Sequence, residues 1–191
     1  MIELLLAAQV AVGAFHGCPA QGDVTSARTQ ALNRLKNRGT APAPSAINPD
    51  ITMKALGAYF HDDRTRWSND DGATITGWVI AVTSGGSESV NCHKAGLRDV
   101  HIDLAADPQA KKPHVVIVEV TPRWQAAMRA DGTDWSLAAL RRLVGHQVTF
   151  TGWMMFDFLH ADASENTHRG RGNWRQTAFE IHPITDIKVV H

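Results

Sequence analysis

The sequence predicts a mainly β domain of the α+β class: a five-stranded Greek-key barrel with a helix between its third and fourth strands, preceded by a helical or extended N-terminal extension. Three stretches carry that prediction. Asp99-Val-His-Ile-Asp-Leu-Ala105 alternates strictly, with Val100, Ile102 and Leu104 on one face and His101 and Asp103 on the other, the pattern of a half-buried strand. His114-Val-Val-Ile-Val-Glu-Val-Thr121 is so dense in Val and Ile that both faces are expected to be covered, yet it spends one position on Glu119. Residues 146–158 alternate again, Val148, Phe150, Gly152 and Met154 against Thr149, Thr151, Trp153 and Met155, and Gly152 allows the bend that closing a small barrel requires.

Taken from the N-terminus, residues 2–15 are apolar apart from Glu3 and Gln9, too few to span a bilayer and without the basic flank of a secretory signal. They read as a helix or strand docked on the domain. Residues 25–38 have Ala31, Leu32 and Leu35 on one side and Arg28, Arg34, Lys36 and Arg38 around the other, a surface helix stopped by Gly39. The spaced prolines of residues 40–49 mark an extended wrap, Thr52 caps a short helix, and residues 61–72 form a polar loop with Trp67. Residues 1–73 are thus an extension, and residues 74–191 the barrel.

Within the barrel the first strand is expected over residues 76–83, and Gly85, Gly86 and Gly96 shape its connection to the second. Thr121-Pro122 is an N-cap followed by a first helical proline, so residues 123–130 should be helical. Asp134 is expected to cap a second helix over 135–144, with Gly145 beyond its end. The fifth strand covers 178–190, with a break expected at Pro183.

Strand, strand, strand, helix, strand, strand is the order of the OB-fold, and residues 74–191 resemble that superfamily in segment order and in the glycine of a long curved strand. The strings Asn91-Cys92-His93, Asp99-Val-His-Ile-Asp103 and Glu180-Ile-His-Pro183 also resemble an uncharacterised bacterial protein family that brings no activity with it.

Composition bounds the function. The chain has 191 residues, 43% hydrophobic and 20% charged, enough for one buried core with an appendage. Nineteen basic and nineteen acidic residues cancel, which leaves no global positive field for nucleic acid, so any such contact must be local. Cys18 and Cys92 are either a disulfide that ties the N-terminal segment to the first strand connection, in an extracytoplasmic compartment, or two free thiols in the cytoplasm.

The OB-fold strand order sets strand two beside three and three beside five, so His101, Asp103, Glu119 and His182 are expected to converge as ligands of a divalent ion: Zn²⁺, Mn²⁺ or Fe²⁺. The connection between strands four and five is rich in chemistry. His160 and Glu165 are candidate proton carriers, and Arg175 would neutralise a phosphate. Trp174, Arg169, Arg171 and Asn166 would contact nucleic acid. Two functions follow. One is a metal-dependent hydrolase of phosphodiesters, similar in plan to nucleases of the staphylococcal type but lacking their Asp-Gly-Asp and Asp-Thr-Pro-Glu strings. The other is a non-catalytic module that binds single-stranded nucleic acid or an oligosaccharide through Trp153, Trp174 and the Arg loop.

Overall fold

The computed structural model describes residues 13–58, 61, 62, 64–168 and 170–190. The expectation for residues 2–15 therefore falls outside the described residues, except for its last three positions. Five strands close into a barrel: β1 (Gly72–Ser84), β2 (Val100–Ala105), β3 (Val116–Val120), β4 (Gln147–Phe156) and β5 (Phe179–Val189), in the order β1-β2-β3-β5-β4. Only β3 and β5 pair in parallel; the other neighbours are antiparallel. This is the OB-like α+β fold that the segment order implies. No helix among the described residues is long and apolar enough to cross a membrane.

The alternating positions point as their period requires. Val100, Ile102 and Leu104 of β2, Val116, Val118 and Val120 of β3, Val148, Phe150 and Met154 of β4, and Ile181 and Ile184 of β5 fill the barrel. Each such side chain contributes roughly 1.5–3 kcal/mol of transfer free energy. At Gly152 a Cβ would lie 2.3 Å from the carbonyl oxygen of Pro183 and 2.8 Å from Ile181 Cγ2, so β4 and β5 approach there more closely than any side chain permits. The register of β4 against β5 shifts at that glycine. β5 nevertheless runs on through Pro183, whose preceding peptide bond is cis, and the expected break is absent.

Helix α1 (Ala27–Lys36) is capped by Ser26 and α2 (Met53–Gly57) by Thr52, both accepting from the backbone N–H three residues on. α3 (Pro122–Ala130) begins as the Thr-Pro pair predicts, with Thr121 accepting from the Trp124 N–H. Helix α4 (Leu137–Arg141) is shorter than its apolar spacing suggests, and its cap is Ser136. Asp134 instead accepts from the Ser136 N–H, closing the turn just before the helix.

Helix α1 differs from the expected surface helix. Lys36 is only 3% exposed, because α1 lies across β5 with its C-terminal end turned inward. Arg38 is half-buried over the Trp153 ring. Cys18 and Cys92 are joined in a disulfide, so the segment before α1 is bound covalently to the loop between β1 and β2. Arg123 reinforces that junction: its guanidinium donates to Asn37 Oδ1 and to the Gly13 and Cys18 carbonyls.

Candidate metal centre

The register of three strands builds a polar row on the outer wall of the barrel. His101 of β2 pairs with Glu119 of β3. Because Ile117 and Val118 pair in parallel with Glu180 and Ile181, Glu119 falls beside His182 of β5. Period two sends all of these side chains away from the core that Ile102, Val118 and Ile181 occupy. An outer barrel face normally meets water. Here α1 and the 3-10 turn Ser89–Asn91 contribute to its cover, so Glu119 and Glu180 are 1% exposed and His182 fully enclosed.

The contacts run in linked groups, and His101, 4.0 Å from Glu88 Oε1, joins the strand row to the Lys36 group. His101 Nε2 lies 3.0 Å from Glu119 Oε1, and His182 Nδ1 lies 3.3 Å from both Glu119 Oε2 and Glu180 Oε2. Arg175 Nη2 donates to Glu180 Oε1 at 2.6 Å. Lys36 Nζ sits 3.4 Å from Glu88 Oε2 and 3.7 Å from Asp157 Oδ2, and His160 Nδ1 is 2.8 Å from that same Asp157 oxygen. Asn91 donates to Asp99 Oδ1 at 3.3 Å.

The charges decide the chemistry. Five carboxylates (Glu88, Asp99, Glu119, Asp157, Glu180) face two permanent cations (Lys36, Arg175), which leaves three negative charges for the imidazoles of His101, His160 and His182 to balance. A buried charge without a partner is costly, so the histidines are driven toward the protonated form. Burial opposes the charge on His101, but Glu119 more than offsets it and raises its pKa to about 9. Burial likewise opposes ionisation of Glu119, yet His101 and His182 hold it down to about 2. His182 is raised against its burial by Glu119 and Glu180, whereas burial lifts Asp99 to about 6 despite His182. Lys36, although desolvated, is held well above the ordinary lysine range by Asp157, Glu119, Glu88 and Glu180.

Hydrogen bonding is incomplete within this row. Asp99 Oδ2, Glu119 Oε2 and His182 Nε2 are enclosed and have no hydrogen-bond partner among the described residues. His101 Nε2 is in the same condition, because its approach to Glu119 is close but not aligned as a hydrogen bond. Asp99, Glu119 and His182 each offer a ligand atom, and these atoms lie within 4.8 Å of one another. Two carboxylates and an imidazole fit a zinc, manganese or iron ion in donor type and charge. His101, whose side chain keeps 19% of its surface, stands at the open edge. Gly85 helps shape that edge: a Cβ there would press to 3.2 Å from His101 Nε2. A second group, Asp157, His160 and Glu180, is equally close-set, but Lys36 and Arg175 already neutralise it.

Of the four expected ligands, the structure thus brings together His101, Glu119 and His182. Asp103 stands one row along, opposite Ile117, with its carboxylate 3.3 Å from Lys112 Nζ. Asp99 takes its place in the cluster; it shares the parity of His101 and Asp103, which is the signal that could have found it. Glu180 shares the parity of His182 in the same way. No sequence signal marks Lys36.

The β4–β5 connection also departs from expectation. Arg175 is fully enclosed with its Nη2 on Glu180, so its guanidinium is not presented at the surface to a phosphate. Asn166 is 2% exposed and its amide joins Ala58 to Gln176, a structural clamp rather than a surface contact. Trp174 packs on Ala105, Val115 and Ile117 with the edge of His160 against it, and Lys112 and Arg175 lie over its ring. His160 is bound to Asp157, and Glu165 accepts from Asn173 away from the cluster. Arg171 is exposed, and Arg169 lies outside the described residues.

The chain matches no protein-family model and no curated protein. The fold and the geometry of this cluster therefore carry the functional reading.

Proposed function

We propose that the chain is a metal-dependent hydrolase acting on phosphodiesters, with one divalent transition ion held by Asp99, Glu119 and His182 and with His101 at the open edge. The observation that supports this reading is the convergence of enclosed, unpartnered oxygen and nitrogen atoms from β3, β5 and the residue that leads into β2, which no internal hydrogen bond explains. When bound, the ion supplies Lewis acidity to a water and to the phosphoryl oxygen. His101, whose side chain keeps 19% of its surface, is held protonated by Glu119 and is placed to donate a proton at that edge. Lys36 and Arg175 hold Glu88, Asp157 and Glu180 in place without competing for the ion. The substrate class rests on position, since the β2–β3 face and adjoining loops are where OB barrels meet oligonucleotides. The disulfide favours an oxidising compartment.

The alternative of a binding module is less well supported, because the Trp174 ring is already packed and covered by cations. Hydrolysis of bis(p-nitrophenyl) phosphate and of a single-stranded oligonucleotide, measured after chelation and stepwise return of Zn²⁺ or Mn²⁺, tests the choice. Turnover that requires the ion and is lost in His182→Ala supports the hydrolase. Absence of turnover with every ion refutes it, and oligonucleotide binding that ignores EDTA would favour the module.

A further inference from the structure

Helix α1 also borders a second feature of the fold. A cavity of about 520 Å³, within the size range of small-molecule sites, lies where α1 meets the end of β4 and the loop after it. Leu32 and Leu35 of α1 and the rings of Phe156 and Phe158 give it an apolar lining.

Its exposed charged groups are of one sign. Arg28 and Arg64 both line it, both are exposed, and neither has a carboxylate within ion-pair distance among the described residues. The Arg28 guanidinium rests 3.8 Å from the centre of the Phe158 ring, which presets its position without neutralising it. Asp62 also lines the cavity, but it is buried and spent on Arg66 and Thr177. The hydroxyl of Thr167, another lining residue, is enclosed and has no hydrogen-bond partner among the described residues.

We infer that this cavity binds a small organic anion, its aromatic or apolar body between α1 and the Phe156–Phe158 rings and its head group held by Arg28, Arg64 and Thr167. Charge complementarity selects the anion: two guanidinium groups without a carboxylate partner among the described residues line an apolar pocket, and the one carboxylate among its lining residues is already paired. Arginine's fork geometry suits a carboxylate, a phosphate or a sulfonate head alike.

The probe is 1-anilinonaphthalene-8-sulfonate, an aromatic sulfonate, titrated into the full chain and followed by fluorescence. We expect one saturable equivalent, weakened about tenfold by Arg28→Gln and again by Arg64→Gln, as the loss of a charge-assisted hydrogen bond implies. Leu35→Trp, which fills the cavity, should abolish binding without altering either charge. Competition then separates the sources: displacement by phenyl phosphate but not benzoate marks a phosphate ligand, and the reverse a carboxylate. Absence of saturable binding, or binding that survives both the paired arginine changes and Leu35→Trp with the thermal midpoint retained, overturns the inference.

Discussion

His101 Nε2 and Glu119 Oε1 stand 3.0 Å apart as directly opposed partners of β2 and β3, on an outer barrel face that is roofed instead of solvated. Through His182 this pair reaches Glu180 and Arg175, so a row of charges crosses three strands and meets solvent only at the His101 end among these residues.

The pair makes metal-free stability depend on pH in a defined direction. His101 is raised from 6.5 to about 9, so its contribution is complete below 6.5 and is lost as pH rises through 9. Glu119 is lowered from 4.5 to about 2, so its contribution is present above 4.5 and is lost as pH falls through 2. Thermal unfolding of EDTA-treated protein should therefore show a falling midpoint between 6.5 and 9, and His101→Gln should flatten that fall. A midpoint of the native protein that holds level across that window would contradict the assignment.

Arg175 and Glu180 test the buried network from its other end. Arg175→Ala leaves Glu180 enclosed without its cation and should cost about 3–5 kcal/mol in urea unfolding. Adding Glu180→Gln removes the orphaned charge and should recover part of that loss. Equal destabilisation by the single and double variants would mean that the pair is not coupled.

How much of this was legible in the sequence divides by physical cause. Period-two alternation in residues 99–105 and 146–158 fixes which side chains face the core, and Thr121-Pro122 marks the start of α3, because these are local signals. The same parity that places His101 on the outer face also places Asp99 there, and the strand order brings Glu119 and His182 alongside. What the sequence left open is the roof. Lys36 reads as one cation among four on a solvated helix, and only the packing of α1 across β5 turns it inward. Arg175 and Asn166 look like exposed groups in a glycine-rich loop, but both are drawn under the structure, Arg175 by Glu180 of β5 and Asn166 by Ala58, far away in sequence.

The disulfide is expected to support the site as well as the fold. Cys92 follows directly on Asn91, the residue that donates to Asp99, and the bond closes a loop of sequence separation 74. Cys18→Ser paired with Cys92→Ser should cost about 2–5 kcal/mol and weaken ion binding at Asp99. Unfolding followed with and without reductant, alongside zinc titration, checks both effects; unchanged values would separate the disulfide from the centre.

The decisive measurement is the metal content of purified protein, by elemental mass spectrometry after dialysis against metal-free buffer. We expect near one equivalent of zinc, manganese or iron, lost in His182→Ala and in Glu119→Gln and retained in Asp103→Asn, whose carboxylate is paired with Lys112. No bound ion, with no rise in thermal midpoint when any of the three is added back, would contradict a metal centre at Asp99, Glu119 and His182.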